Sequence, residues 1–193
     1  MKSHFRSVFA AAAFALAAMA GATASAAVVN GGFETGDLTG WTTSGNDSAF
    51  VGVDSIAAHT GGFGAFFGPQ GSPAFLSQSV ATNPGATYEI SFWLRQEQDF
   101  LASFSASFGG VAGPALTDPG AFGYMEFSFI AVATGANTLL QFAFVNEVSF
   151  WDIDDISVNL LREAPSDVPL PAAAWLFVAG LSGLFAARGR KTA

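Results

Sequence analysis

Apolar positions divide the chain into three regimes. Residues 8–20 and 172–187 are nearly unbroken apolar runs, while the stretch between them alternates apolar and polar residues over short segments bounded by Gly, Pro, Asn and Asp. A period of two marks strands that bury one face. In residues 88–95, Tyr88, Ile90, Phe92 and Leu94 share one side, and Glu89, Ser91, Trp93 and Arg95 the other. Residues 100–108 repeat the scheme, with Phe100, Phe104 and Phe108 opposed to Ser103, Ser105 and Ser107. Further runs at 49–53, 64–67, 75–81, 125–132, 139–145 and 150–158 are separated by breakers such as Gly61-Gly62, Asn83-Pro84-Gly85, Pro114 and Pro119. About eight or nine strands predict an all-β sandwich with no helix longer than a turn or two.

The two apolar runs read as addresses rather than as core. Lys2 and Arg6 precede the first, and Ala24-Ser25-Ala26 follows it, which is the layout of a secretory signal peptide over residues 1–26. The second run, 172–187, has no polar stripe and reaches about 24 Å as a helix, slightly short of a hydrocarbon core of about 30 Å. Basic residues after it, in the tail 188–191, place the C-terminus in the cytoplasm and the preceding residues outside. The expected organisation is therefore a signal peptide 1–26, a sandwich domain 27–161, a linker 162–167 and a C-terminal segment 168–193 that holds one transmembrane helix.

This last segment resembles the PEP-CTERM class of bacterial sorting signals in its VPLPA variant. Val168, Pro169, Leu170, Pro171 and Ala172 match the opening of the motif, and Arg188, Arg190 and Lys191 match its basic end. The resemblance implies a Gram-negative host, removal of the two ends by signal peptidase and an exosortase, transient anchoring in the inner membrane, and delivery to the cell surface or extracellular matrix.

Charge sharpens the picture once the ends are set aside. The net charge of −8 averages over a chain whose fifteen acidic residues all lie between Glu34 and Asp167, where Arg95 and Arg162 are the only bases, a net of −13. Such a domain repels a phosphate backbone, which excludes nucleic acid as a partner and favours divalent cations. With no cysteine, an exported domain must hold together by its Phe-rich core and, on this reading, by a bound ion. In the closing run 153–158, Asp154 shares parity with Ile156 and Val158; facing the core unpaired, its carboxylate would cost several kcal/mol, which a Ca²⁺ ion would relieve.

The opening Asn30-Gly31-Gly32-Phe33-Glu34 with Gly40-Trp41, the turn His59-Thr60-Gly61-Gly62-Phe63, the strand 88–93 and the ending Ile153-Asp154-Asp155-Ile156-Ser157-Val158 together resemble carbohydrate-binding modules with a galactose-binding-like jelly roll. That resemblance implies a structural Ca²⁺ joining the first and last strands, held by the Gly32 carbonyl, Glu34 and Asp154, with Asp54 as a further ligand. Asp155 replaces Asp154 if the register shifts by one residue.

A sugar site needs an aromatic face and nearby polar groups. Trp93 and Arg95 meet that need if they face solvent; the alternative is that Trp93 packs beneath a loop while Arg95 pairs with Glu97 or Glu89. Trp41 and Trp151 read as core. No cysteine or zinc ligand set is present, and His59 lacks a nucleophile elbow, so an enzyme is not expected; a carboxylate pair among Asp152, Asp154 and Asp155 is the remaining catalytic alternative. The expected function is a non-catalytic surface or matrix protein associating with exopolysaccharide, against a purely structural matrix protein with no sugar site.

Overall fold

The computed structural model describes residues 27–46, 50–99 and 101–165. The signal peptide and the sorting motif with its predicted helix lie outside the described residues. Ten strands are shared between two antiparallel sheets: β1 (Thr42–Gly45), β2 (Val51–Asp54), β3 (Gly64–Phe67), β4 (Ala74–Ala81), β5 (Thr87–Gln96), β6 (Ala102–Phe108), β7 (Val111–Thr117), β8 (Phe122–Val132), β9 (Asn137–Asn146) and β10 (Trp151–Arg162). The first sheet has the order β1-β4-β9-β6-β7 and the second the order β2-β3-β10-β5-β8. The described residues contain no helix. This is the all-β sandwich that the period of two predicts.

The inner faces follow that period. Tyr88, Ile90, Phe92 and Leu94 are all fully buried, as are Leu140, Phe142 and Phe144 on β9. Phenylalanine fills the space between the sheets through ring contacts: Phe67 stacks on Phe144 at 4.1 Å, and Phe92 meets Phe104 at 5.4 Å and Phe142 edge-on at 5.1 Å. Trp41 and Trp151 are core, as expected. Each buried aromatic removes a large apolar area from water, which is how a domain without disulfides obtains its stability.

Two strands escape the periodicity. β1 reads Thr-Thr-Ser-Gly, with no apolar alternation, and pairs with β4 through its backbone. β7 contains Gly113 and Pro114, which read as a breaker; an edge strand tolerates proline because one side of its backbone has no partner strand.

One feature of β10 corrects the reading of its carboxylates. Asp154 pairs with Trp93 and Ser157 with Ser91, so Asp155 and Ile156 together oppose the single residue Phe92. This bulge, with Asp155 at φ 50°, reverses the side on which later residues point. Ile153, Ile156 and Val158 therefore face the core, and Asp154 lies on the outer face with Asp152 and Trp93 instead of sharing a side with Ile156.

Charge divides between the sheets. None of the five strands of the first sheet contains an Asp, Glu, Lys or Arg. The second sheet carries Asp54, Glu89, Arg95, Glu126, Asp152, Asp154, Asp155 and Arg162.

Candidate functional site

The outer face of the second sheet is covered at one end by the loop 55–63, and the chemistry-bearing residues gather there. Three carboxylates hold that loop, Asp154 and Glu34 by its backbone and Asp155 by its side chains. Asp154, fully buried beneath it, accepts N–H bonds from His59 at 2.8 Å and Thr60 at 3.1 Å through Oδ2, and from Asp155 at 2.7 Å through Oδ1. Burial still pushes the Asp154 carboxyl above the usual range, against those donors. Asp155 accepts from His59 Nδ1 and from the Thr60 hydroxyl, each at 2.7 Å. Glu34, arriving from the N-terminal segment, accepts from the N–H groups of Gly62 at 3.0 Å and Phe63 at 3.2 Å.

Glycine is required where these elements touch. A Cβ at Gly61 would lie 2.2 Å from Glu34 Oε1, and its φ of 67° is left-handed. A Cβ at Gly31 would lie 2.2 Å from the Ile156 carbonyl, beside the bond in which Ile156 N–H donates to Gly31 O at 2.9 Å. That contact ties the N-terminal segment to the β10 bulge. The same segment plugs the sandwich end: Phe33 stacks on Trp41 at 5.9 Å, and Trp41 Nε1 donates to Asn30 O.

Aromatic and cationic groups hold the rest of the loop. The His59 ring stacks on Trp93 at 3.9 Å and leans on Tyr124 at 4.9 Å. The Tyr124 hydroxyl donates to the Ala57 carbonyl, and burial raises its pKa. Arg95 lies 5.1 Å over the Tyr124 ring, donates to Asp152 through Nε at 2.6 Å and Nη2 at 2.5 Å, and reaches the Ile56 carbonyl at 3.0 Å and Glu97 at 3.4 Å. The two partners respond differently to this contact. Burial pulls the Arg95 pKa down, but Asp152 more than offsets it, so the guanidinium is held charged. For Asp152, burial outweighs the pull of Arg95 and pushes the carboxyl up to about 7.

Trp93 and Arg95 thus adopt the packed arrangement, beneath a loop, with Asp152 added as a partner that the sequence reading did not assign. His59 and Tyr124 were also missed; the parity of Asp152 and the adjacency of β10 to β5 would have been needed to place the ion pair. Glu34, Gly32, Asp154 and Asp155 come together: a Cβ built on Gly32 would sit 3.7 Å from Asp155 Oδ1, 3.8 Å from Asp154 Oδ1 and 3.9 Å from Glu34 Cγ. Asp54 belongs to a different cluster. Its Oδ1 accepts from the N–H groups of Ile56 and Ala57, both at 2.9 Å. The donors around Gly32 are all oxygens, the type a Ca²⁺ ion takes, with room for one small group between them. Among the described residues, no three His, Cys, Asp or Glu side chains are grouped so as to hold an ion, so backbone carbonyls would have to complete a shell.

Two clefts flank the Arg95–Glu97 pair. One, of about 420 Å³, lies between the end of β5 and the start of β8 and is lined by Arg95, Gln96, Glu97, Ala121, Phe122 and Gly123. The other, of about 290 Å³, runs under the loop between Asp54, Ile56, Ala57, Glu97 and Asp152, with the edge-on pair Phe66 and Phe150 as its apolar wall.

Residues 25–113 match the family profile of a carbohydrate binding domain. The match takes in the N-terminal plug, the 55–63 loop, Trp93 and Arg95, and ends before β10. Among solved structures, TmCBM61 in complex with beta-1,4-galactotriose is 25% identical, with a TM-score of 0.53 over 69% of this chain and 96% of that one. The CBM22-1 xylan-binding domain of Paenibacillus barcinonensis Xyn10C is 18% identical, with a TM-score of 0.52 over 69% of this chain and 93% of that one. The CBM22-1–CBM22-2 tandem domain of the same protein is 19% identical, with a TM-score of 0.55 over 81% of this chain and 50% of that one. Comparison with curated proteins gives no match. The described domain thus shares the two-sheet β-sandwich fold of these modules.

Proposed function

We propose that the chain is an exported, non-catalytic protein of the bacterial cell surface or extracellular matrix whose sandwich binds polysaccharide. The observation that carries this reading is the match of residues 25–113 to a carbohydrate binding domain. The clefts on either side of Arg95 and Glu97 support this reading, since each combines an aromatic wall with charged hydrogen-bonding groups. Trp93 acts there by holding His59 and the loop, since one ring face is already stacked. Calorimetry with the host's own exopolysaccharide tests the reading. Glu97→Ala is expected to weaken binding at least tenfold while leaving the melting temperature within a few degrees; no binding to any extracellular glycan would refute the reading.

The Gly32 carbonyl, Glu34 and one of Asp154 and Asp155 would hold a structural Ca²⁺, with further backbone carbonyls completing the shell, and Asp54 would stand outside it. An ion bound only by the folded state raises the melting temperature by mass action. Chelation is expected to lower it, and Glu34→Ala to abolish the difference. The sorting segment supports removal of the C-terminal end by an exosortase after export; intact-mass measurement on surface material, with loss of residues after the VPLPA motif, tests that step.

The stacking of His59 on Trp93 favours a second reading, a structural matrix protein without a defined sugar site. It is distinguished by calorimetry that shows no saturable site although the protein co-sediments with the matrix.

A further inference from the structure

Loop 55–63 covers one end of the outer face of the second sheet, whereas the outer face of the first lies open. The face is built mainly from Ser, Thr, Gln and Ala, with Val145 towards the end that Asp118 and Glu147 border just beyond β7 and β9. Its middle row runs Ser77 on β4, Gln141 on β9 and Ser107 on β6, directly paired across the strands, with Phe75 and Leu139 as the large apolar groups near the centre. Leu139 is 50% exposed. No strand of this sheet carries a charge, in a domain whose fifteen carboxylates meet two arginines.

Charge decides what can approach it. Two copies at net −13 repel through every surface that displays carboxylates, and the repulsion falls most where the apposed faces have none. Small outward side chains let two sheets approach to about 10 Å, as in the interior of a sandwich. Five strands spaced about 4.8 Å apart, each contributing about seven residues at 3.3 Å, give a footprint of about 550 Å² per partner. A total near 1,100 Å² belongs to the low end of specific interfaces, fit for a weak, concentration-dependent dimer. We propose that the outer face of the β1-β4-β9-β6-β7 sheet is an interface at which a second copy of this chain docks face to face about a two-fold axis. Because the two faces are identical, each residue serves both sides of the contact. The interface is independent of the sugar clefts, which lie by the opposite sheet.

The chain has no cysteine, so one introduced by substitution reports a single position. Full-length protein with Ser105→Cys, on β6 in this face, is treated with a short thiol-specific bismaleimide, whose reach spans two faces at that separation, and compared with Ser128→Cys on the outer face of the second sheet. The expected result is cross-linked dimer at least fivefold more abundant for the first. Raising NaCl from 50 to 500 mM is expected to increase it, since salt screens the repulsion of the −13 domains. Gln141→Glu, nearly isosteric, puts a carboxylate at the centre of both apposed faces and is expected to reduce the cross-link at least fivefold. Equal cross-linking at both positions, as collision or association through the apolar C-terminal run would give, overturns the proposal, as does indifference to Gln141→Glu. Protection of the Ser105→Cys thiol by exopolysaccharide without dimer formation also overturns it, and assigns the face to glycan instead.

Discussion

At the scale of single residues, Asp152 and Arg95 set the character of the site. The Asp152 side chain is 2% exposed and that of Arg95 26%, so the pair is half desolvated, and removing one member leaves the other poorly solvated. Arg95→Ala, which leaves the buried Asp152 carboxyl without its cation, should destabilise the domain by about 2–3 kcal/mol, below the range for fully buried pairs because Arg95 is itself partly in contact with water. Urea unfolding measures this. Asp152 also gives the domain an inverted acid response. With the folded carboxyl near 7 and the unfolded one near 3.8, the native state keeps a proton that the unfolded state has released between those values. The contribution of Asp152 to stability is thus full below about pH 4, falls as pH rises towards 7, and is flat above it. Unfolding free energy measured from pH 4.5 to 8 should decline across the window, and the Asp152→Asn variant should remove most of that slope.

At the scale of elements, loop 55–63 is held by groups from five places: Glu34 from the N-terminal segment, Asp54 at the end of β2, Trp93 and Arg95 from β5, Tyr124 from β8, and Asp154 and Asp155 from β10. Gly61→Ala would drive a methyl group into the Glu34 carboxylate at a left-handed φ, with an expected cost of about 1–3 kcal/mol. Amide exchange should then accelerate at Gly62 and Phe63 more than at core strands. Trp93→Ala, which removes the His59 stack, should accelerate exchange at His59 and Thr60 in the same experiment. These elements also show where sequence patterns carry information. Strands such as β5 and β9 were legible because every second residue is a large apolar group that can only face inward. β1 was not, because its role is backbone pairing, and β7 was hidden by a proline that an edge strand accommodates. The acidic residues 34, 154 and 155 were legible as a group through the motifs that hold them. Their orientation was not, because a one-residue bulge leaves no mark on hydrophobic periodicity, yet it inverts every side chain beyond it. The packing of Trp93 under His59 needed the path of a loop, which residue type does not specify.

At the scale of the molecule, the domain separates its properties by sheet: an ionic, loop-covered face with two clefts on one side, and an uncharged face on the other. Self-association and glycan binding are therefore expected to respond oppositely to substitution, with Gln141→Glu affecting the former alone and Glu97→Ala the latter alone. Sedimentation and calorimetry on the same two variants check the separation. The last strand has a further consequence. β10 lies third of five in its sheet, between β3 and β5, and supplies both the bulge that receives Gly31 and the aspartates that hold the 55–63 loop. A chain emerging N-terminus first from a ribosome or a translocation channel must therefore leave β3 and β5 without their shared neighbour until residue 162 is out. Closure of the second sheet and of the clasp on its surface must therefore come late and together, and a nascent chain stalled before Trp151 should remain open to proteases and chaperones across that sheet.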